Sequence, residues 1–115
     1  MQIILADAKI MRDAVATEST VHTTTPLFLS EATAIAAEMA GKSVNEIAEL
    51  FRCSKAIAME NRQRFLSFSG STAVPAILTY YGQAYKYLEA NDFSPSDFTF
   101  AQDHVLTMSF LYGLL

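Results

Sequence analysis

The stretch SVNEIAELFRCSKAIAMENRQRFLSF, Ser43 to Phe68, predicts two helices joined by a short polar corner. Ser43 and Glu46 have the spacing of a capping box, which starts a helix. Apolar residues then recur every three or four positions until Arg52-Cys53-Ser54 interrupts them. Ser54 is a favourable N-cap for the second helix, because its hydroxyl can accept a hydrogen bond from an N–H of the first turn. The sequence therefore predicts a helix pair around this corner.

The corner also concentrates positive charge. Four of the chain's eight Lys and Arg residues lie at the corner or in the helix that follows it: Arg52, Lys55, Arg62 and Arg64. A helix N-terminus attracts anions, because its first N–H groups lack partners and the helix dipole is positive there. Cations around such an N-terminus predict a phosphate site. The alternative is that these side chains only solvate the outer face of two packed helices.

Length and composition are those of one folded domain. The 115 residues suffice for a single hydrophobic core, and 51% of them are hydrophobic while 17% are charged. This balance argues against an intrinsically disordered chain, and no apolar run reaches the roughly 18 to 20 residues of a membrane-spanning helix. The net charge of −4 argues against a generally basic nucleic-acid binder, so such an activity needs a local patch.

The chain offers few candidates for catalysis or metal binding. No segment has the spacing of a zinc site, a phosphate-binding glycine loop or a dinucleotide fingerprint, so we predict no cofactor and no metal. Cys53, beside a predicted helix start and three cations, is a candidate for a lowered thiol pKa, and a buried, inert cysteine is the alternative. A single cysteine and an opening, MQIILADAK, without signal-peptide features predict a cytoplasmic protein.

Outside the corner, the patterns predict one strand and several helices, and hence a mainly helical α+β protein. In chain order we expect a strand at Gln2–Leu5, an extended segment at 15–25 and a helix from Pro26 to Gly41. After the corner we expect a helix over 73–90, weakened by Gly82, and a last helix that starts at Ser94-Pro95-Ser96-Asp97. The inward side chains of the last helix would be Phe98, Ala101, Val105, Met108 and Leu111. The strand has no evident partner among these segments.

The carboxyl end is an apolar run, VLTMSFLYGLL, over residues 105–115. Chain ends are usually polar and loosely ordered, so we expect this segment to be followed by further chain in the whole protein. The alternative is a short helix that packs its last turn into the core. Exposed apolar ends and an unpaired strand also predict that the chain forms homo-oligomers.

Several motifs carry a family resemblance. The opening IILADAK is similar to a strand followed by a Ser-Pro-Ala-Lys turn, with Ala8 and Lys9 matching. Positions 54–65 match the pattern S-x-K-[IL]-A-x-x-N-x-x-R-F at all positions but the lysine, and residues 93–113 carry FS, DF, FAQ, H and LYG at the family's spacing. On these motifs the chain resembles the amino-terminal part of the YaaA family of bacterial peroxide stress proteins (DUF328, UPF0246).

The resemblance implies a function as well as a fold. It implies that residues 1–115 form a single domain, the amino-terminal half of a longer YaaA-like protein with a mixed α/β fold. It implies a peroxide stress protein that limits free intracellular iron and binds double-stranded DNA through a helix-hairpin-helix element at Ser43–Phe68. The usual hairpin glycine is absent from the corner. The predicted nucleic-acid-binding residues are Arg52, Ser54, Lys55, Asn61, Arg62 and Arg64.

Lys9 is a candidate anion or ligand site, since it follows the first strand and matches the family. Lys9 and Asn61 both match the family without a packing role, so we expect their side chains to converge. Two other classes stay open: an enzyme or metal-handling protein whose site needs further residues, and a non-catalytic interaction module. The resemblance itself implies no reaction.

Overall fold

The computed structural model describes residues 1–13 and 21–115. In chain order its elements are β1 (Ile3–Leu5), α1 (Leu29–Ala40), α2 (Val44–Phe51), α3 (Lys55–Leu66), α4 (Ala76–Thr79), α5 (Gln83–Leu88), α6 (Pro95–His104), β2 (Val105–Ser109) and β3 (Gly113–Leu114). They form two compact units: a helical unit, Phe28–Thr72, and a mixed unit, Met1–Leu27 with Ala73–Leu115. The predicted α+β, mainly helical class is confirmed.

The helical unit packs α1, α2 and α3 around a small core. Its buried side chains are Ala32, Ala36 and Met39 of α1, Ile47 of α2, and Ala58 and Phe65 of α3. The rings of Phe51 and Phe65 meet edge to face, with centroids 6.4 Å apart. The predicted helix before Gly41 is confirmed, and Gly41 is its C-cap. The larger buried side chains of this core are Met39, Ile47 and Phe65, and small alanines on α1 and α3 allow the helices to approach closely.

Both predicted helix starts within Ser43–Phe68 are confirmed. The Ser43 hydroxyl accepts a hydrogen bond from the Glu46 N–H at 3.2 Å, and the Ser43 N–H donates to the Glu46 carboxylate at 2.7 Å. That donated N–H holds the pKa of Glu46 below its ordinary value. The Ser54 hydroxyl accepts from the Ile57 N–H at 3.3 Å, which caps α3. These contacts are local, which is why spacing alone predicts them.

The sheet of the mixed unit corrects two predictions. β1 lies parallel to β2, with Ile4 beside Leu106, so the first strand has a partner. β2 lies antiparallel to β3, and Thr107 and Leu115 exchange two backbone hydrogen bonds of 2.8 and 2.9 Å. The last helix begins as predicted, with Ser94 capping Asp97, but it ends at His104. Beyond it the chain alternates between buried and exposed side chains, and β-branched residues there favour the strand.

The predicted helix over 73–90 is also wrong, because it is broken into α4 and α5. At the break Tyr80 forms an antiparallel bridge with Met11. The Tyr81 N–H donates to the Ile10 carbonyl at 3.0 Å, and the Arg12 N–H donates to the Thr79 carbonyl at 2.9 Å. These long-range bonds hold the backbone extended where helical spacing would continue.

The predicted extended segment at 15–25 lies largely outside the described residues, and 21–25 carry no regular element. Over the described ranges, no helix combines the length and the apolar character that crossing a membrane requires.

Gly82, in the mixed unit, leaves little room for a side chain. A Cβ added there would lie 3.0 Å from the Cβ of Ala8, whereas one added at Gly70 would meet nothing within 4 Å. We expect Gly82→Ala to lower the free energy of unfolding by about 1 to 3 kcal/mol, since one of two packed segments must shift. Gly70→Ala should change it by less than about 0.5 kcal/mol. Urea unfolding followed by circular dichroism measures both, and equal effects would contradict the predicted close contact.

Candidate nucleic-acid interface

The corner between α2 and α3 is a defined turn with Arg52 in a strained conformation. The Arg52 N–H donates to the Glu49 carbonyl at 3.2 Å, and the Cys53 N–H donates to the Ala48 carbonyl at 3.0 Å. These two bonds form a Schellman motif, which usually places glycine where Arg52 stands. Arg52 has φ 50° and ψ 52°, the left-handed region. The hairpin therefore keeps the backbone shape that the missing glycine would favour.

The turn places two cations on either side of a helix N-terminus. Arg52 ends α2, Lys55 begins α3, and both are exposed. Between them Ser54 is exposed, and its hydroxyl already accepts the Ile57 N–H. The first N–H groups of α3 have no acceptor within the helix, so an anion at this end would meet N–H donors and two positive charges.

The other predicted site residues are less exposed than Arg52, Ser54 and Lys55. Arg62 is half-buried, and its Nε donates to the Lys42 carbonyl at 2.8 Å, which ties α3 to the segment after α1. Arg64 lies 4.0 Å from Glu60, with 37% of its side chain exposed. Asn61 donates to the Ile57 carbonyl at 2.8 Å within its own helix. Arg52, Ser54 and Lys55 are thus the exposed part of the predicted set.

Lys9 and Asn61 lie in different units, Lys9 exposed on the loop after β1. Their predicted convergence stays a prediction. Cys53 is half-buried at the second position of the Schellman motif, where an apolar side chain is usual. This structural position accounts for a cysteine here, and a reactive thiol is not needed to explain the residue.

Two of the tyrosines near α4 and α5, Tyr80 and Tyr85, serve in packing, whereas Tyr87 is exposed. Tyr80 and Tyr85 are buried with ring centroids 5.4 Å apart. Tyr80 donates to the Ser109 hydroxyl at 3.3 Å, and Tyr85 donates to the Ala6 carbonyl at 2.7 Å. Burial raises the pKa of both phenols. They are therefore unavailable as stacking surfaces for bases.

Tyr81 differs from these neighbours because two cations lie against its ring. The guanidinium carbon of Arg12 is 4.2 Å and the Lys86 ammonium 5.0 Å from the ring centroid. The sequence reasoning missed Arg12 and Lys86. No spacing connects Arg12 with Tyr81, since backbone pairing across some seventy residues brings them together. Among the described residues, no group of three or more His, Cys, Asp or Glu side chains is placed to hold a metal.

Comparison with known proteins assigns the family. The sequence profile of the family described as "Peroxide stress protein YaaA" matches residues 1–115. The chain belongs to the YaaA family. It is 42% identical over 117 residues to UPF0246 proteins of Bacteroides fragilis and Bacteroides thetaiotaomicron, and 35% identical to one of Porphyromonas gingivalis. All three alignments cover the whole of this chain and 45% or 46% of the relative, so the chain spans less than half of their length.

The strained corner of this YaaA-family chain is testable by paired substitutions. Arg52→Ala and Arg52→Gly remove the same side chain, but only glycine adopts the left-handed conformation without steric cost. We expect the glycine variant to have the higher free energy of unfolding, by about 1 kcal/mol. Chemical unfolding of the two variants under identical conditions measures the difference. Equal stabilities would mean that the turn does not hold position 52 in the left-handed region.

Proposed function

We propose that this YaaA-family chain contributes a DNA-binding surface to a cytoplasmic peroxide stress protein, with α2 and α3 as a helix-hairpin-helix element. The observation that carries the proposal is the corner itself, where exposed Arg52 and Lys55 flank the N-terminus of α3. Limiting free intracellular iron is the role we propose for the whole protein, in accord with the family's peroxide stress description.

Two features of the corner support contact with a phosphate backbone. A three-residue turn, Arg52 to Ser54, separates the two helices, so the α3 N-terminus faces outward at the tip of the hairpin. N–H groups at such a tip bind one phosphate, and flanking cations bind its neighbours. Contacts of this kind position a protein on the duplex without reading bases. The proposed binding is therefore independent of sequence.

The charge of the chain limits the strength of this binding. The net charge is −4, so the long-range field opposes approach to DNA and only the local patch attracts it. Arg62 is half-buried and uses its Nε on the Lys42 carbonyl, whereas Arg52 and Lys55 are exposed, so these two are proposed as the principal phosphate contacts. With two phosphates neutralised, the log–log slope of affinity against salt is roughly −1.8 on duplex DNA.

We expect a short duplex to bind the parent chain roughly twelvefold more weakly when salt rises fourfold, as that slope requires. Arg52→Ala/Lys55→Ala should abolish this salt-dependent component. Lys55→Ala alone should reduce the slope to roughly −0.9, because one phosphate contact remains. Fluorescence anisotropy at low and moderate salt measures all three.

Lys42→Ala is the matched control, because it removes the same charge from the same unit while the backbone carbonyl that accepts Arg62 stays in place. Its slope should equal that of the parent. A parent that binds with a slope unchanged by the double substitution would show that the corner is not the contact surface.

A second candidate role is self-association through the sheet. The register places Ile4, Leu106, Met108 and Leu114 on one face, and Ile4 is 64%, Met108 50% and Leu114 41% exposed. A contiguous apolar face of this kind is typical of an interaction surface. We propose that two copies of the chain pair through it.

Met108→Glu should then shift the chain from dimer to monomer in sedimentation velocity, because a carboxylate on this face opposes its burial. Met59→Glu is the control, since Met59 is 60% exposed on α3 of the helical unit and should leave the dimer intact. A parent chain that sediments as a monomer at high concentration would rule out this role.

A further inference from the structure

In the mixed unit, the loop after β1 and the break between α4 and α5 are joined by backbone pairing. Two hydrogen bonds, from the Arg12 N–H to Thr79 and from the Tyr81 N–H to Ile10, flank the bridge between Met11 and Tyr80. This pairing places Arg12 opposite Thr79 and diagonally across from Tyr81, and the Arg12 guanidinium carbon lies 4.2 Å from the Tyr81 ring centroid. Lys86, five residues after Tyr81 on α5, reaches the same ring.

The two cations on Tyr81 are not neutralised by the described part of the chain. Neither Arg12 nor Lys86 has a carboxylate of the described residues within the 4.0 Å that joins Arg64 and Glu60. The Arg12 Nε is buried and has no hydrogen-bond acceptor among residues 1–13 and 21–115. A buried guanidinium N–H without an acceptor is costly, and like charges held near one ring repel each other. Both features are relieved when an anion binds.

We propose that Arg12 and Lys86 form a binding site for the dianionic phosphate of a phosphomonoester. The planar guanidinium is suited to grip two phosphate oxygens at once, and the exposed Lys86 ammonium adds a mobile point charge. When the guanidinium turns from the ring to the phosphate, its Nε gains the acceptor that it lacks. Tyr81 holds both cations in position until the ligand arrives.

The surroundings narrow the ligand class. Lys9 lies on the same loop as Arg12 and directly follows Ala8, which packs against Gly82, so a third cation is carried to this side of the mixed unit. Asp7 and Asp13 bracket the two basic residues of the loop and oppose anions. Three cations and two carboxylates leave these five side chains with a net charge of +1, so a dianion is attracted about twice as strongly as a monoanion. The site is therefore matched to a phosphomonoester better than to a carboxylate or a phosphodiester.

This site belongs to the mixed unit, whereas the α2–α3 corner belongs to the helical unit. The proposal therefore does not depend on DNA binding by the corner. The test uses the chain as it stands, labelled with ¹⁵N, and inorganic phosphate as the probe at about pH 8, roughly two units above the second pKa of a phosphomonoester, where the dianion of inorganic phosphate also dominates. NMR follows the Arg12 Nε–H signal during the titration. We expect a saturable shift with a dissociation constant in the low millimolar range, about 1 to 5 mM.

Lys86→Gln should weaken phosphate binding at least about tenfold, because one charge-assisted contact is lost. Lys42→Gln, which removes one charge from the other unit, should change it by less than about twofold. Arg12→Lys keeps the charge but loses the planar fork, and should weaken binding by a similar factor to Lys86→Gln. The amide spectrum of each variant verifies that the unit is still folded.

A second arm compares a nucleoside 5′-monophosphate with a short duplex, using Arg52→Ala/Lys55→Ala protein so that the corner does not contribute. Saturable binding of the monophosphate without binding of the duplex supports the phosphomonoester site. A shift of the Arg12 signal that never saturates, equal binding by parent and Lys86→Gln, or preference for the duplex overturns the proposal.

Discussion

Backbone hydrogen bonds between the first thirteen residues and residues beyond 78 determine the architecture of the mixed unit. β1 pairs with β2 from Ile3 beside Val105, and the following loop pairs with the segment around Tyr80. Both pairings join parts of the chain that are far apart in sequence. Because each closes a long loop, they carry an entropic cost that local helices do not bear. The break between α4 and α5, the burial of Tyr80 and Tyr85, and the position of Arg12 all depend on them.

The helical unit depends on a local constraint instead. A Schellman motif at Arg52 and an N-cap at Ser54 follow each other directly, so the chain reverses within three residues. The left-handed conformation at Arg52 costs free energy that a glycine would not. In return the turn projects an arginine where glycine would leave no side chain. Conformational strain and charge at the proposed interface thus have the same origin.

The sequence predicted the features that arise from contacts within four residues. The capping box at Ser43, the helix start at Ser94, the N-cap at Ser54 and the helix ending at Gly41 are all confirmed. Helical spacing failed where tertiary pairing overrides it, as at Val105, where a strand replaces the predicted helix. The charged corner was visible as a cluster of cations in the sequence. The partial burial of Arg62 was not, because its contact with the Lys42 carbonyl joins residues twenty positions apart.

The Arg12–Tyr81–Lys86 group shows the same limit more sharply. Each residue is unremarkable in the sequence, and only a backbone bridge outside the regular strands brings Arg12 to the ring. In the sequence, Tyr81 is one of four tyrosines within residues 80–87. Burial and hydrogen bonding separate it from Tyr80 and Tyr85, whose hydroxyls are already used. The sequence shows only that several tyrosines lie close together, whereas the structure shows that Arg12 and Lys86 lie against the ring of Tyr81.

The central functional claim is that the α2–α3 corner is the surface that contacts DNA. Its most direct test is amide mapping by NMR of the ¹⁵N-labelled chain during titration with a short duplex at low salt. We predict that the largest shifts fall on Arg52 to Ala56, around the α3 N-terminus, and that they fade as salt rises. Saturable duplex binding with these amides unchanged would contradict it.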